Sequence, residues 1–138
     1  MAEGASMEAP DFPHLTDSGS AILKDVVARC VDKVIYDDRM PSGLGGLLME
    51  IKRGYWVMFI NPGHALAEQC VTMAHELGHL FLGHWPSQRL NPRRSLVDEE
   101  RDKAQEAEAD AYARRLLLLL SLQEEAVGGM NKGALALI

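Results

Sequence analysis

The sequence predicts an α+β fold. It comprises an N-terminal helix, a small three-stranded antiparallel sheet, a helix carrying His-Glu-x-x-His, and a second long helix rich in acids and alanines. Three observations carry this expectation. Apolar residues recur at helical spacing in separate stretches of the chain. Two apolar runs flank Lys52-Arg53-Gly54 in the manner of a hairpin. The chain has 138 residues, 47% hydrophobic and 25% charged, which is the size and composition of one globular domain.

Residues 1–17 are rich in Ala, Gly, Pro and Ser and read as a flexible N-terminal arm, leaving 18–138 as a single domain. From Ser20 to Lys33, Ile22, Leu23, Val26, Val27, Cys30 and Val31 repeat at helical spacing, with Ser18 or Ser20 as the cap. Val34-Ile35-Tyr36 reads as a short strand, and Pro41-Ser42-Gly43 and Gly45-Gly46 mark turns. Leu47 to Ile51 and Tyr55 to Ile60 form the hairpin strands. Asn61-Pro62-Gly63 ends the second of them and starts a helix, with Asn61 as N-cap and Pro62 in first position. That helix runs from about His64 to Leu82. A loop follows, containing Pro86, Pro92, Arg89, Arg93 and Arg94, and Ser95-Leu96-Val97-Asp98 reads as a capping box. The long helix extends from Asp98 to roughly Leu122, before the Gly128-Gly129 break and the apolar tail Ala134 to Ile138.

The formal net charge of −6 argues against a surface that grips nucleic acid directly, since such surfaces carry a basic excess. The longest apolar run, Leu116 to Leu120, is far short of a membrane span. Two cysteines, Cys30 and Cys70, are too few for a disulfide scaffold and lack metal-site spacing, so they are expected reduced and helping to fill the core. The first residues show no signal-peptide pattern, and the expected location is the cytoplasm.

Residues 75–79 read His-Glu-Leu-Gly-His. Positions i and i+4 of a helix point the same way, so the imidazoles of His75 and His79 can meet one metal ion. Glu76 cannot share that direction, but it can reach a water on the open side of the metal, as a general base. Leu66, Cys70, Met73, Ala74, Leu77, Leu80 and Phe81 form an apolar stripe, with the histidines nearly opposite. Val71 and Leu82 flank the histidines, so a second element must cover that side. The long helix is the candidate, and a catalytic zinc usually takes a third protein ligand. Glu106 and Asp110 face together at i and i+4, while Ala109, Ala113 and Leu117 extend that side and permit close approach. Glu106 is therefore the expected third ligand. Asp110 is expected to accept a proton from the far nitrogen of a ligating histidine. Glu108, about 200° around the helix from Glu106, is the competing ligand. His84, five positions after His79, cannot share its helical face and reads as a loop histidine, with an oxyanion-helper role as the alternative. Tyr112 reads as a core residue, and the Arg89/Arg93/Arg94 loop as solvated.

The segment from Glu68 to Leu82, followed by Glu106-Ala107-Glu108-Ala109-Asp110-Ala111-Tyr112-Ala113 and the leucines from Leu116, resembles the ImmA/IrrE-type metallopeptidases. The resemblance covers roughly residues 20–120. It implies a zincin-like minimal metallopeptidase domain with gluzincin-type His, His and Glu zinc ligands, the Glu falling on Glu106. It also implies a protein or peptide substrate, such as a transcriptional regulator. Where the family usually ends its second motif with Leu-Leu-Met-Pro, this chain has Leu116 to Leu119 without a proline.

The functional expectation is a zinc-dependent peptidase. Two alternatives share the same ligands: a metal-bearing module that binds a protein without cutting it, and a zinc hydrolase acting on a small molecule.

Overall fold

The structure is a computed structural model, and it describes residues 12–84 and 96–128. Helix α1 (Asp17–Cys30) is followed by strands β1 (Lys33–Tyr36), β2 (Gly46–Lys52) and β3 (Tyr55–Ile60). Helices α2 (Leu66–Phe81) and α3 (Leu96–Gly128) complete the fold. The α+β class expected from the sequence is what the chain adopts. No helix among the described residues is long and apolar enough to cross a membrane.

The sheet is mixed rather than all antiparallel, with order β1-β3-β2. β2 pairs antiparallel with β3, whereas β1 pairs with β3 in parallel. The cause is the connection over residues 37–45. Tyr36 at the end of β1 and Gly46 at the start of β2 both pair with Ile60, so the chain crosses one end of β3 and reverses. β2 therefore runs against β1, and the hairpin returns β3 along the direction of β1. Arg53-Gly54 closes that hairpin, with Gly54 at φ 78° and its N–H donated to the Glu50 carboxylate at 2.8 Å.

Helix starts differ from the sequence reading in an instructive way. α1 begins at Asp17, capped not by Ser18 or Ser20 but by Thr16, whose hydroxyl accepts the Gly19 N–H at 3.3 Å. Asn61 does not cap α2. Its side chain is spent on the preceding loop, donating to the carbonyls of Pro41 and Leu44 and accepting the Gly63 N–H. α2 starts after Ala65, whose N–H is taken by the Glu68 carboxylate at 3.0 Å.

The core gathers Leu23 and Val27 of α1, Leu48, Met58 and Ile60 of the sheet, Cys70, Met73, Ala74 and Leu77 of α2, and Ala113 and Leu117 of α3. Each fully buried leucine of this set contributes about 1.5–3 kcal/mol of transfer free energy. Leu66 and Phe81, at the two ends of the expected apolar stripe, are exposed rather than part of the core. Residues 12–16, which composition places in the arm, include Phe12, buried in this core, and Leu15, packed against it. Both cysteines are free. Cys70 is buried, its thiol donating to the Ser20 hydroxyl. The capping box at Ser95, the Arg89/Arg93/Arg94 loop and the tail from Ala134 lie outside the described residues.

α2 is packed between the remaining elements, and its histidine side meets α3 at an unusually close approach. A Cβ on Gly78 would lie 3.1 Å from the Ala109 Cα and carbonyl oxygen and from the Tyr112 Cβ. The absence of a side chain at Gly78, facing buried Ala109, is what lets the helix backbones meet there.

Candidate metal centre

Two helices bring the ionisable groups together. Seen from α2, His75 and His79 are one turn apart, as the i, i+4 spacing requires. Their Nε2 atoms are 3.0 Å apart. From α3, Glu106 spans both rings. One carboxylate oxygen lies 2.8 Å from His75 Nε2 and the other 3.0 Å from His79 Nε2. Asp110, one turn further along α3, takes the opposite edge of the His75 ring, at 2.7 Å from Nδ1. An imidazole thus sits lengthwise between two carboxylates set one helical turn apart. Glu76, next to His75, is 7% exposed. Glu108 does not join this group.

The donor set fits a divalent ion. Ligand atoms of His75, His79 and Glu106 lie within 4.8 Å of one another. Zinc bonds of about 2.0–2.2 Å at tetrahedral angles hold ligand atoms roughly 3.3–3.5 Å apart, so a shift of a few tenths of an ångström would seat an ion. Two imidazoles and one carboxylate form a borderline-soft set suited to zinc.

Histidine 84 is where sequence reasoning fell short. It follows the helix end as a loop residue, as expected, but it is 6% exposed, with Nδ1 at 2.8 Å from His79 Nδ1 and Nε2 at 2.8 Å from a Glu108 oxygen. The signal in the sequence was Gly83, which adopts φ 73° just past the end of α2. The Gly83 N–H bonds the Leu80 carbonyl and the His84 N–H bonds the His79 carbonyl, which is a Schellman ending. That ending folds the chain back so that His84 lies against His79. Tyr112 is half-buried and its ring stacks on Phe81 at 6.1 Å.

Charge follows from this packing. Burial alone would depress the His75 imidazolium, but hydrogen bonds to Asp110 and Glu106 and the nearby Glu76 charge outweigh it and lift its pKa to about 10. Burial would raise the Glu106 carboxyl, yet hydrogen bonds from His75 and His79 hold it well below the usual carboxylate range. Without metal, the folded chain keeps a proton on His75 that the unfolded chain loses above about pH 6.5. The stability contributed by that proton is complete below pH 6.5 and is lost as pH rises towards 10. The Glu106 contribution is present above about pH 4.3 and lost at more acid pH. Both belong to one network and count once. Thermal unfolding of chelator-treated protein is therefore expected to weaken steadily from pH 7 to 10. Zinc-loaded protein should be flatter over that range, because the ion needs deprotonated imidazoles. A flat profile without metal would contradict this charge assignment.

An α+β domain that turns a His-Glu-x-x-His helix towards an acidic second helix has the form of a metallopeptidase domain. A family model described as the IrrE N-terminal-like domain, a metallopeptidase family, matches residues 33–126. The chain belongs to this family. The matched region includes His75, Glu76, His79, His84, Glu106, Glu108 and Asp110. Neither a curated protein nor a solved structure matches the chain significantly.

Proposed function

We propose that the chain is a zinc-dependent peptidase in which His75, His79 and Glu106 hold the ion and Glu76 is the general base. The observation that carries this reading is the convergence of the three ligand groups beside a buried glutamate from the same helix turn. Zinc bound there supplies Lewis acidity and makes water nucleophilic near neutral pH. Glu76 takes a proton from the attacking water and delivers it to the departing amine as the peptide bond breaks. Asp110 accepts a hydrogen bond from the His75 Nδ1–H, which fixes the tautomer that leaves the Nε2 lone pair of that ring for the ion.

Family membership supports a protein or peptide as substrate. A regulatory protein such as a transcriptional repressor is the substrate proposed here, on the resemblance carried by the two motifs. Metal analysis of the purified chain tests the site. The wild type is expected to hold one equivalent of zinc after gel filtration, and His79→Ala and Glu106→Ala to hold little. Equal zinc content in all three would place the metal elsewhere.

A further inference from the structure

We propose that His84 and Glu108 are positioning residues that hold His79 in the tautomer and orientation a metal ligand needs, a proposal that rests on the metal-site reading above. The starting point is an asymmetry between the two imidazoles. His75 has a carboxylate of its own on the far nitrogen, Asp110 at 2.7 Å. Among the described residues, the far nitrogen of His79 meets not a carboxylate but another imidazole, His84, at 2.8 Å. The second nitrogen of His84 is in turn 2.8 Å from Glu108.

Hydrogen-bond bookkeeping fixes a single direction along this chain when His79 presents the lone pair of Nε2 to a metal. The His79 proton then sits on Nδ1 and is donated to Nδ1 of His84. His84 must be unprotonated there, so its own proton is on Nε2, donated to the Glu108 carboxylate. Every ring nitrogen has a partner of the right kind, and the chain ends on an anion, as the His75 chain does at Asp110. Glu108 and Asp110 are two residues apart on α3 and leave the helix on different sides. Asp110 meets its histidine directly, whereas Glu108 needs the His84 ring to span the gap.

The backbone explains why His84 is there to do so. In a Schellman ending the residue after the left-handed glycine is tied by its N–H to the carbonyl three positions inside the helix end. Those two residues are His84 and His79. Gly83, at φ 73°, makes the reversal possible. A pair of residues that usually shares an apolar contact at this place is here two imidazoles in hydrogen-bond contact.

The test uses the full chain and zinc affinity, measured by competition with a chromophoric chelator, together with the visible absorption of the cobalt-substituted protein. His84→Leu keeps the bulk and removes both nitrogens. It should weaken zinc binding about 10–100-fold and alter the cobalt band. His84→Asn offers an oxygen to the His79 Nδ1–H and should recover part of that loss. Glu108→Ala, at a largely exposed side chain, should weaken binding severalfold in the wild type and add nothing in the His84→Leu background, since both act through one ring. Should His84→Leu not fold, Glu108→Ala alone decides. A wild type that binds zinc, with affinity and cobalt spectrum unchanged in these variants, overturns the relay alone. A wild type that takes up no metal overturns the metal-site reading, and the relay with it.

Discussion

Glu76→Gln is expected to leave zinc content unchanged and to cut turnover by at least about 10²–10⁴-fold, the usual worth of a positioned general base. The amide has the size of the carboxylate and can keep hydrogen bonds as an acceptor, so the helix and the nearby ligands should not move. What disappears is the capacity to take a proton from water. The residue is nearly buried and lies beside His75, whose raised pKa already registers the Glu76 charge. Removing that charge is therefore expected to lower the His75 pKa in the metal-free protein, which leaves metal uptake intact. The check is twofold: zinc by elemental analysis, and cleavage of a verified protein substrate resolved on a gel. Wild-type cleavage by the variant would remove Glu76 from the mechanism.

Gly78→Val is expected to be the most damaging single substitution at the helix interface. Already the first added carbon would stand 3.1 Å from the Ala109 backbone and the Tyr112 Cβ. Backbone atoms of a helix cannot turn aside as a side-chain end can, so the two helices must part. Overpacking of this kind costs about 1–3 kcal/mol, or roughly 4–12 °C in unfolding midpoint. The functional loss should exceed the loss of stability. Glu106 and Asp110 sit on the helix being pushed away, and carboxylates displaced by even part of an ångström no longer meet both rings. Gly78→Ala should show a milder form of the same effect. Gly43→Ala, where an added carbon meets nothing within 4 Å, is the control and should change neither quantity. Thermal unfolding and zinc titration of the three variants measure this. A fully stable, zinc-binding Gly78→Val would mean that the helices part without cost.

Legibility in the sequence tracked how local each determinant is. The His75/His79 pairing and the approach of Glu106 and Asp110 follow from i, i+4 spacing on regular helices, and spacing survives into three dimensions. The buried alanines of α3 signalled close packing, but their counterpart at Gly78 was hidden inside the motif. Parallel pairing of β1 with β3 was not readable, because it depends on which end of β3 the 37–45 connection crosses. Asn61 has the right residue type for a cap. It is diverted by the carbonyls of Pro41 and Leu44, which are near only once the sheet has formed. His84 was misplaced because helical projection stops at the last helical residue. Its position is set instead by the left-handed turn at Gly83, a backbone event that angular arithmetic cannot follow.

Division of the proposed ligand set between two helices has a mechanical consequence. The protein has no disulfide between its cysteines, and its α2–α3 seam is held by non-covalent contacts: close packing at Gly78 and the hydrogen bonds of His75 and His79 to Glu106 and Asp110. An ion gripped by His75 and His79 on one side and Glu106 on the other would act as a removable cross-link, fastening segments far apart in the chain. In the chain-entropy view, a tie of that span is worth about 3–4 kcal/mol against unfolding. Starving a cell of zinc would then loosen α3 from α2 as well as silence the chemistry, making the domain's lifetime a gauge of metal supply.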